Sequence, residues 1–139
     1  MMNNKFAIHK PGKPSALIQP VALAYMGDAV FELLVRQYVL SMPNHKAHHM
    51  HKLATSYVSA KAQRSMLERL LPHLTEEEQD IVKRGRNAKS GTPPKNADMI
   101  DYRYATALEC LVGYLYLEER IDRITELFRI GLGESTSEE

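Results

Sequence analysis

The sequence predicts an all-α fold of five to seven helices. Three observations carry that prediction. Apolar residues recur at helical spacing across residues 21–40 and 97–118. Prolines and glycines punctuate the chain between such stretches. No stretch reads as a credible strand, and there is no repeat or low-complexity tract.

The elements follow in order. Residues 1–20 hold Pro11, Gly12, Pro14 and Pro20 with little periodicity, which predicts an arm laid on the surface. Residues 21–40, VALAYMGDAVFELLVRQYVL, predict a helix, stopped by Ser41-Met42-Pro43-Asn44. A second helix is expected over about 46–66, with Leu53, Tyr57, Ala60 and Gln63 at spaced positions. Residues 64–71 continue it or form a short helix of their own, and Pro72 breaks the chain. Thr75 followed by Glu78 is a capping-box pattern, and Glu76, Glu77 and Glu78 suit the positive end of a helix dipole. Gly85 is expected to limit that helix. KSGTPPKN at 89–96 must be a loop. Helical patterning returns over 97–118 and again over about 120–130. This divides the chain into an arm (1–20), one folded domain (21–132) and a disordered acidic tail (133–139).

Composition narrows the function. A chain of 139 residues with 44% hydrophobic and 25% charged residues fits one ordinary globular domain with a real core. The single cysteine, Cys110, excludes an intrachain disulfide and fits a reducing cytoplasm. No apolar run has the length of a signal sequence or membrane span, so no membrane partner is expected. The net charge of +1 does not announce a nucleic-acid binder; only the distribution of charge could.

Two carboxylates stand out. Asp28 is the only charge between residues 21 and 31, and Glu109 the only one between 104 and 117. Both helices read as apolar all round, hence buried. A lone buried carboxylate costs several kcal/mol unless it is paired or bound to a metal. Asp28 has Glu32, a like charge, one turn on, and Arg36 could neutralise Glu32. If the two helices cross, the acids face each other, and Mg²⁺ between them would relieve the repulsion. Gly27 and Gly113 lie close to the acids, where tight packing or a ligand would justify a helix glycine. The same pattern arises if each acid meets a basic residue from elsewhere, or if its helix is less buried than it reads.

Lys83, Arg84, Arg86, Lys89 and Lys95 lie in IVKRGRNAKSGTPPKN at 81–96, which holds no acid. Cations supply affinity for a phosphate backbone, and polar groups such as Asn87 set register. The lack of aromatic residues argues against a single-strand stacking platform and is neutral for duplex RNA. A solvated charged surface explains it equally simply.

Residues 23–32, LAYMGDAVFE, resemble the signature helix of ribonuclease III enzymes, roughly L-E-F-L-G-D-A-V-L-E. Residues 107–117, ALECLVGYLYL, resemble their second acidic motif, roughly V-E-A-L-I-G-A-I-Y-L. RGRNAKS at 84–90 and PKNAD at 94–98 resemble the Mini-ribonuclease III branch. The resemblance spans residues 16–132 and implies a homodimeric, all-α endonuclease domain that cuts double-stranded RNA with Mg²⁺. It implies a catalytic and metal-binding role for Asp28 and Glu109, and a dimer-interface position for Tyr25. Glu32 and Thr106 are candidates for a supporting shell. Lys83, Arg84, Arg86, Asn87, Lys89 and Lys95 are candidates for gripping RNA, since the resemblance leaves no separate RNA-binding domain. The implied task is maturation of large-subunit (23S) ribosomal RNA in the cytoplasm, on a precursor carrying a large-subunit ribosomal protein. Two family acids are replaced, by Ala24 and Thr106, which leaves the metal count open. An inactive duplex-RNA-binding dimer and a helical interaction domain with salt-bridged acids are the competing readings. His45 and His49 have helical metal-ligand spacing but no further ligand beside them, and Cys110 reads as core.

Overall fold

One of the two most apolar segments of the chain becomes its central helix. The computed structural model describes residues 5–88, 95 and 98–134. Among these, six α-helices are joined by short connections, with no strand: α1 Pro20–Leu40, α2 Ala47–Val58, α3 Ala60–Leu70, α4 Glu76–Asn87, α5 Met99–Leu117 and α6 Ile121–Leu132. Helix α5 buries Ala105 to Leu108 and Cys110 to Leu115, and α1, α3, α4 and α6 all pack on it. A helix apolar on every side is normally buried.

Helix α1 differs from its expected burial. Leu23, Ala24, Gly27, Phe31, Val35 and Val39 face the core at helical spacing. Its other side is solvent-facing within one chain: Val21, Tyr25 and Leu33 are exposed, and so is Asp28. An apolar-all-round pattern therefore marks the core in α5 and a half-covered helix in α1.

The expected single helix over 46–66 is two. Ser59 has an extended ψ of 154°, which ends α2, and its hydroxyl accepts from the Ala62 N–H to start α3. No proline or glycine announces this break. The capping box at Thr75 and Glu78 forms as expected. Gly85 does not end α4, which runs on to Asn87. It instead permits contact with α5, since a Cβ there would lie 2.8 Å from Cys110 Sγ. Gly133, at φ 83°, ends α6 in the left-handed region that glycine tolerates. Leu132 is still helical, so the helix reaches beyond the expected residue 130.

The N-terminal arm contains a 3-10 turn at Ser15–Leu17 and is clamped from α4: the Arg84 guanidinium donates to the carbonyls of Ala16 and Ile18, both at 3.0 Å. No described helix is long and apolar enough to cross a membrane.

Candidate active site

Two glycines bring the two acids together. Where α1 crosses α5, a Cβ on Gly27 would lie 1.7 Å from the Glu109 carbonyl oxygen. A Cβ on Gly113 would lie 2.0 Å from that of Leu23. No other residue fits such a crossing, so the backbones touch where Asp28 follows Gly27 and Glu109 precedes Gly113 by one turn.

The carboxylates of Asp28 and Glu109 consequently face each other across the crossing. Burial pushes the Glu109 carboxyl up to about 7, and the negative charge of Asp28 adds to it, while a hydrogen bond from Gln63 opposes both. Among the described residues neither acid has an ion-pair partner. Of the alternatives open from the sequence, a salt bridge to either acid does not occur among the described residues, whereas Asp28 is less buried than its helix pattern suggests.

Gln63 escaped the sequence reading as a functional residue. It projects from α3 and is only 3% exposed, beside buried Met66 and Leu67. Its amide nitrogen donates to Glu109 Oε2 at 3.4 Å and to the Val58 carbonyl at 3.3 Å. Its Oε1 is buried with no hydrogen-bond partner. The only sequence signal was an amide on an otherwise apolar helix face.

The remaining expected residues fall as follows. Glu32 is half-buried, takes a 3.0 Å ion pair from Arg36, and lines the same groove as Tyr25, Met26 and Asp28. Thr106 is buried, and its hydroxyl donates to the Tyr102 carbonyl of its own helix at 3.0 Å. Tyr25 is 82% exposed. Lys83, Asn87 and Lys95 are exposed and Arg86 half-exposed. Arg84 is half-exposed, and two of its guanidinium nitrogens are engaged with the arm. Lys89, with the rest of 89–94, lies outside the described residues, as does the tail at 135–139. His45 precedes α2, with its ring Nε2 3.1 Å from the Leu40 carbonyl oxygen. Cys110 is fully buried, its thiol pushed up to about 12 by burial.

These donors suit a hard divalent cation. Two carboxylates without a cation are set against each other, with an orphaned amide oxygen next to one of them. No cluster of three or more His, Cys, Asp or Glu side chains occurs among the described residues. Two protein carboxylates with water completing the shell is the usual habit of Mg²⁺.

The chain is similar to known proteins. A family model described as the ribonuclease III domain matches residues 21–120. Mini-ribonuclease 3 of Brevibacillus brevis is 51% identical over 123 residues, covering 86% of this chain and 92% of the relative. The Enterococcus faecalis protein of that name is 50% identical over 77% of this chain and 83% of its own length. A crystal structure of a Fusobacterium nucleatum protein superposes with a TM-score of 0.78 at 30% identity, covering 88% of this chain and 98% of that one.

Proposed function

This chain belongs to the ribonuclease III family, in its Mini-ribonuclease 3 branch, and on that premise we propose that it is a Mg²⁺-dependent nuclease of double-stranded RNA built around Asp28 and Glu109. That it is an endoribonuclease follows from the family. The observation that carries the site is the pair of facing carboxylates, free of any cation, at the Gly27–Gly113 crossing.

Asp28 and Glu109 would hold the ion. When bound, Mg²⁺ supplies positive charge that acidifies water and offsets charge on the scissile phosphate. The Gly27–Gly113 contact fixes the separation of the two carboxylates. Glu32, kept in place by Arg36, adds a further acceptor at the mouth of the groove. Lys83, Arg86, Lys89 and Lys95 neutralise backbone phosphates, and Asn87 sets register. Arg84 also holds the arm, through two of its guanidinium nitrogens. In-line attack by water leaves a 5′-phosphate and a 3′-hydroxyl.

The exposed apolar row Val21, Tyr25 and Leu33 on α1 supports a homodimer joined along that face, with one site per subunit. The substrate we propose is the precursor of large-subunit (23S) ribosomal RNA, bound to a large-subunit ribosomal protein, in the cytoplasm.

The test is cleavage of a long end-labelled RNA duplex by wild type and Asp28→Asn, with Mg²⁺ and with EDTA. Cutting that needs Mg²⁺ and disappears in Asp28→Asn is the expected result. Normal cutting by Asp28→Asn overturns the site. A gel shift without wild-type cutting, on naked duplex and on protein-bound precursor alike, returns the inactive RNA-binding dimer that Ala24 and Thr106 leave open.

A further inference from the structure

We infer that Gln63 is a positioning residue of this site: its amide N–H orients Glu109 toward the cation, and its orphaned Oε1 accepts from a water that the cation carries. The inference rests on the proposed metal site. Helix α3 turns Gln63, Met66, Leu67 and Leu70 toward the core, so position 63 is one that an apolar side chain would fill at least cost. The amide orientation is set by chemistry. Nε2 faces two acceptors, the Glu109 carboxylate and the Val58 carbonyl, so the nitrogen must point there and the oxygen away. The break at Ser59 makes this possible, because Val58 is the last residue of α2 and its carbonyl anchors the amide.

That leaves Oε1, buried and unpartnered on the same amide that donates to Glu109. A buried acceptor with no donor is costly, and among the described residues no donor reaches it. Water held by a cation on Asp28 and Glu109 would supply the donor. Position 63 then contributes a neutral oxygen to a site where Ala24 and Thr106 bring no charge. Groups that hydrogen-bond metal ligands typically change metal affinity 10–100-fold when removed.

The experiment is calorimetric titration of the metal-free full chain with Mn²⁺, together with thermal melts in EDTA, for wild type, Gln63→Leu, Gln63→Glu and Asp28→Asn. Gln63→Leu should melt at or above the wild-type temperature in EDTA while binding Mn²⁺ about 10-fold or more weakly. Gln63→Glu should lower the metal-free melting temperature, by adding a third acid, and tighten Mn²⁺ binding. Wild-type Mn²⁺ affinity in Gln63→Leu would show that Gln63 only packs. Should Gln63→Leu not fold, Gln63→Glu decides alone: tighter binding supports the inference, and equal or weaker binding overturns it. Asp28→Asn separates the two readings. If it binds Mn²⁺ like wild type, the metal site itself is wrong; if it loses Mn²⁺ while Gln63→Leu does not, only the role of Gln63 fails.

Discussion

Glu78 and Glu109 both leave water on folding, Glu78 almost completely and Glu109 in part, and the chain treats them in opposite ways. Glu78 is 1% exposed, and burial pushes its carboxyl up. The forked Arg123 guanidinium at 2.7 and 2.8 Å and the Thr75 N–H outweigh that, and the carboxyl ends below its ordinary range. Nearby, Tyr114 donates to Glu77, and burial and that carboxylate together push its hydroxyl up to about 12. Glu77 and Glu78, at this end of α4, each meet an arginine, Arg120 and Arg123. Glu109 faces Asp28 instead of a cation, and its carboxyl is driven up to about 7. The same fold that supplies a bidentate arginine to one acid sets a second acid against the other. An unmet acid pair is what a fold retains when something outside the chain is to meet it.

The largest effect should come from breaking the satisfied pair. Arg123→Ala leaves Glu78 buried without its cation and should cost about 3–5 kcal/mol, read by urea unfolding. A loss below about 1 kcal/mol would mean that the pair is as dispensable as a surface one. Next comes the crossing. Gly27→Ala drives a methyl into the Glu109 carbonyl and should cost about 1–3 kcal/mol, with cleavage lost even where circular dichroism shows intact helices. Retained cleavage would show that the Gly27–Gly113 contact does not set the acids.

A smaller effect distinguishes the two acids by sign. The folded carboxyl of Glu109 titrates near 7 against an ordinary value of 4.5. Between those values the folded state holds a proton that the unfolded state has released. Stability in EDTA therefore falls as pH rises through that window. Asp28→Asn removes the repelling charge and should flatten this fall, gaining about 1 kcal/mol at pH 7 while abolishing cleavage. Glu78 acts in reverse: its folded value is depressed, so its contribution is present above its ordinary value and is lost as pH falls below it. Thermal melts across pH with wild type and Asp28→Asn read the difference; identical profiles would mean that the acids do not interact. The smallest effect on the chain itself should be Tyr25→Ala, within about 0.5 kcal/mol because the ring is exposed. Sedimentation should nevertheless shift that variant toward monomer, and an unchanged oligomeric state would remove Tyr25 from the proposed interface.

Much of this was legible in residue order. Apolar periodicity placed α1, α5 and α6 within a few residues of their ends, and the Thr75–Glu78 pattern placed the start of α4, because helix period and capping are local. The acids were legible too, since one charge in an apolar run is conspicuous wherever it ends up. The break at Ser59 was not, because an extended serine that caps the next helix leaves no mark like proline or glycine. The outer face of α1 was misread, because an apolar residue looks the same whether its own core or another surface is to cover it.

By itself, then, the sequence determined α1, α4, α5 and α6, the two isolated acids and the glycines beside them, all of which follow from short-range sterics and hydrophobic spacing. Only the tertiary structure decided which charges meet. Arg123 reaches Glu78, Arg84 holds Ala16 and Ile18, and Gln63 reaches Glu109, each across dozens of residues. Electrostatic partnership depends on distance in space, and residue order encodes that distance only through the packing of the whole fold.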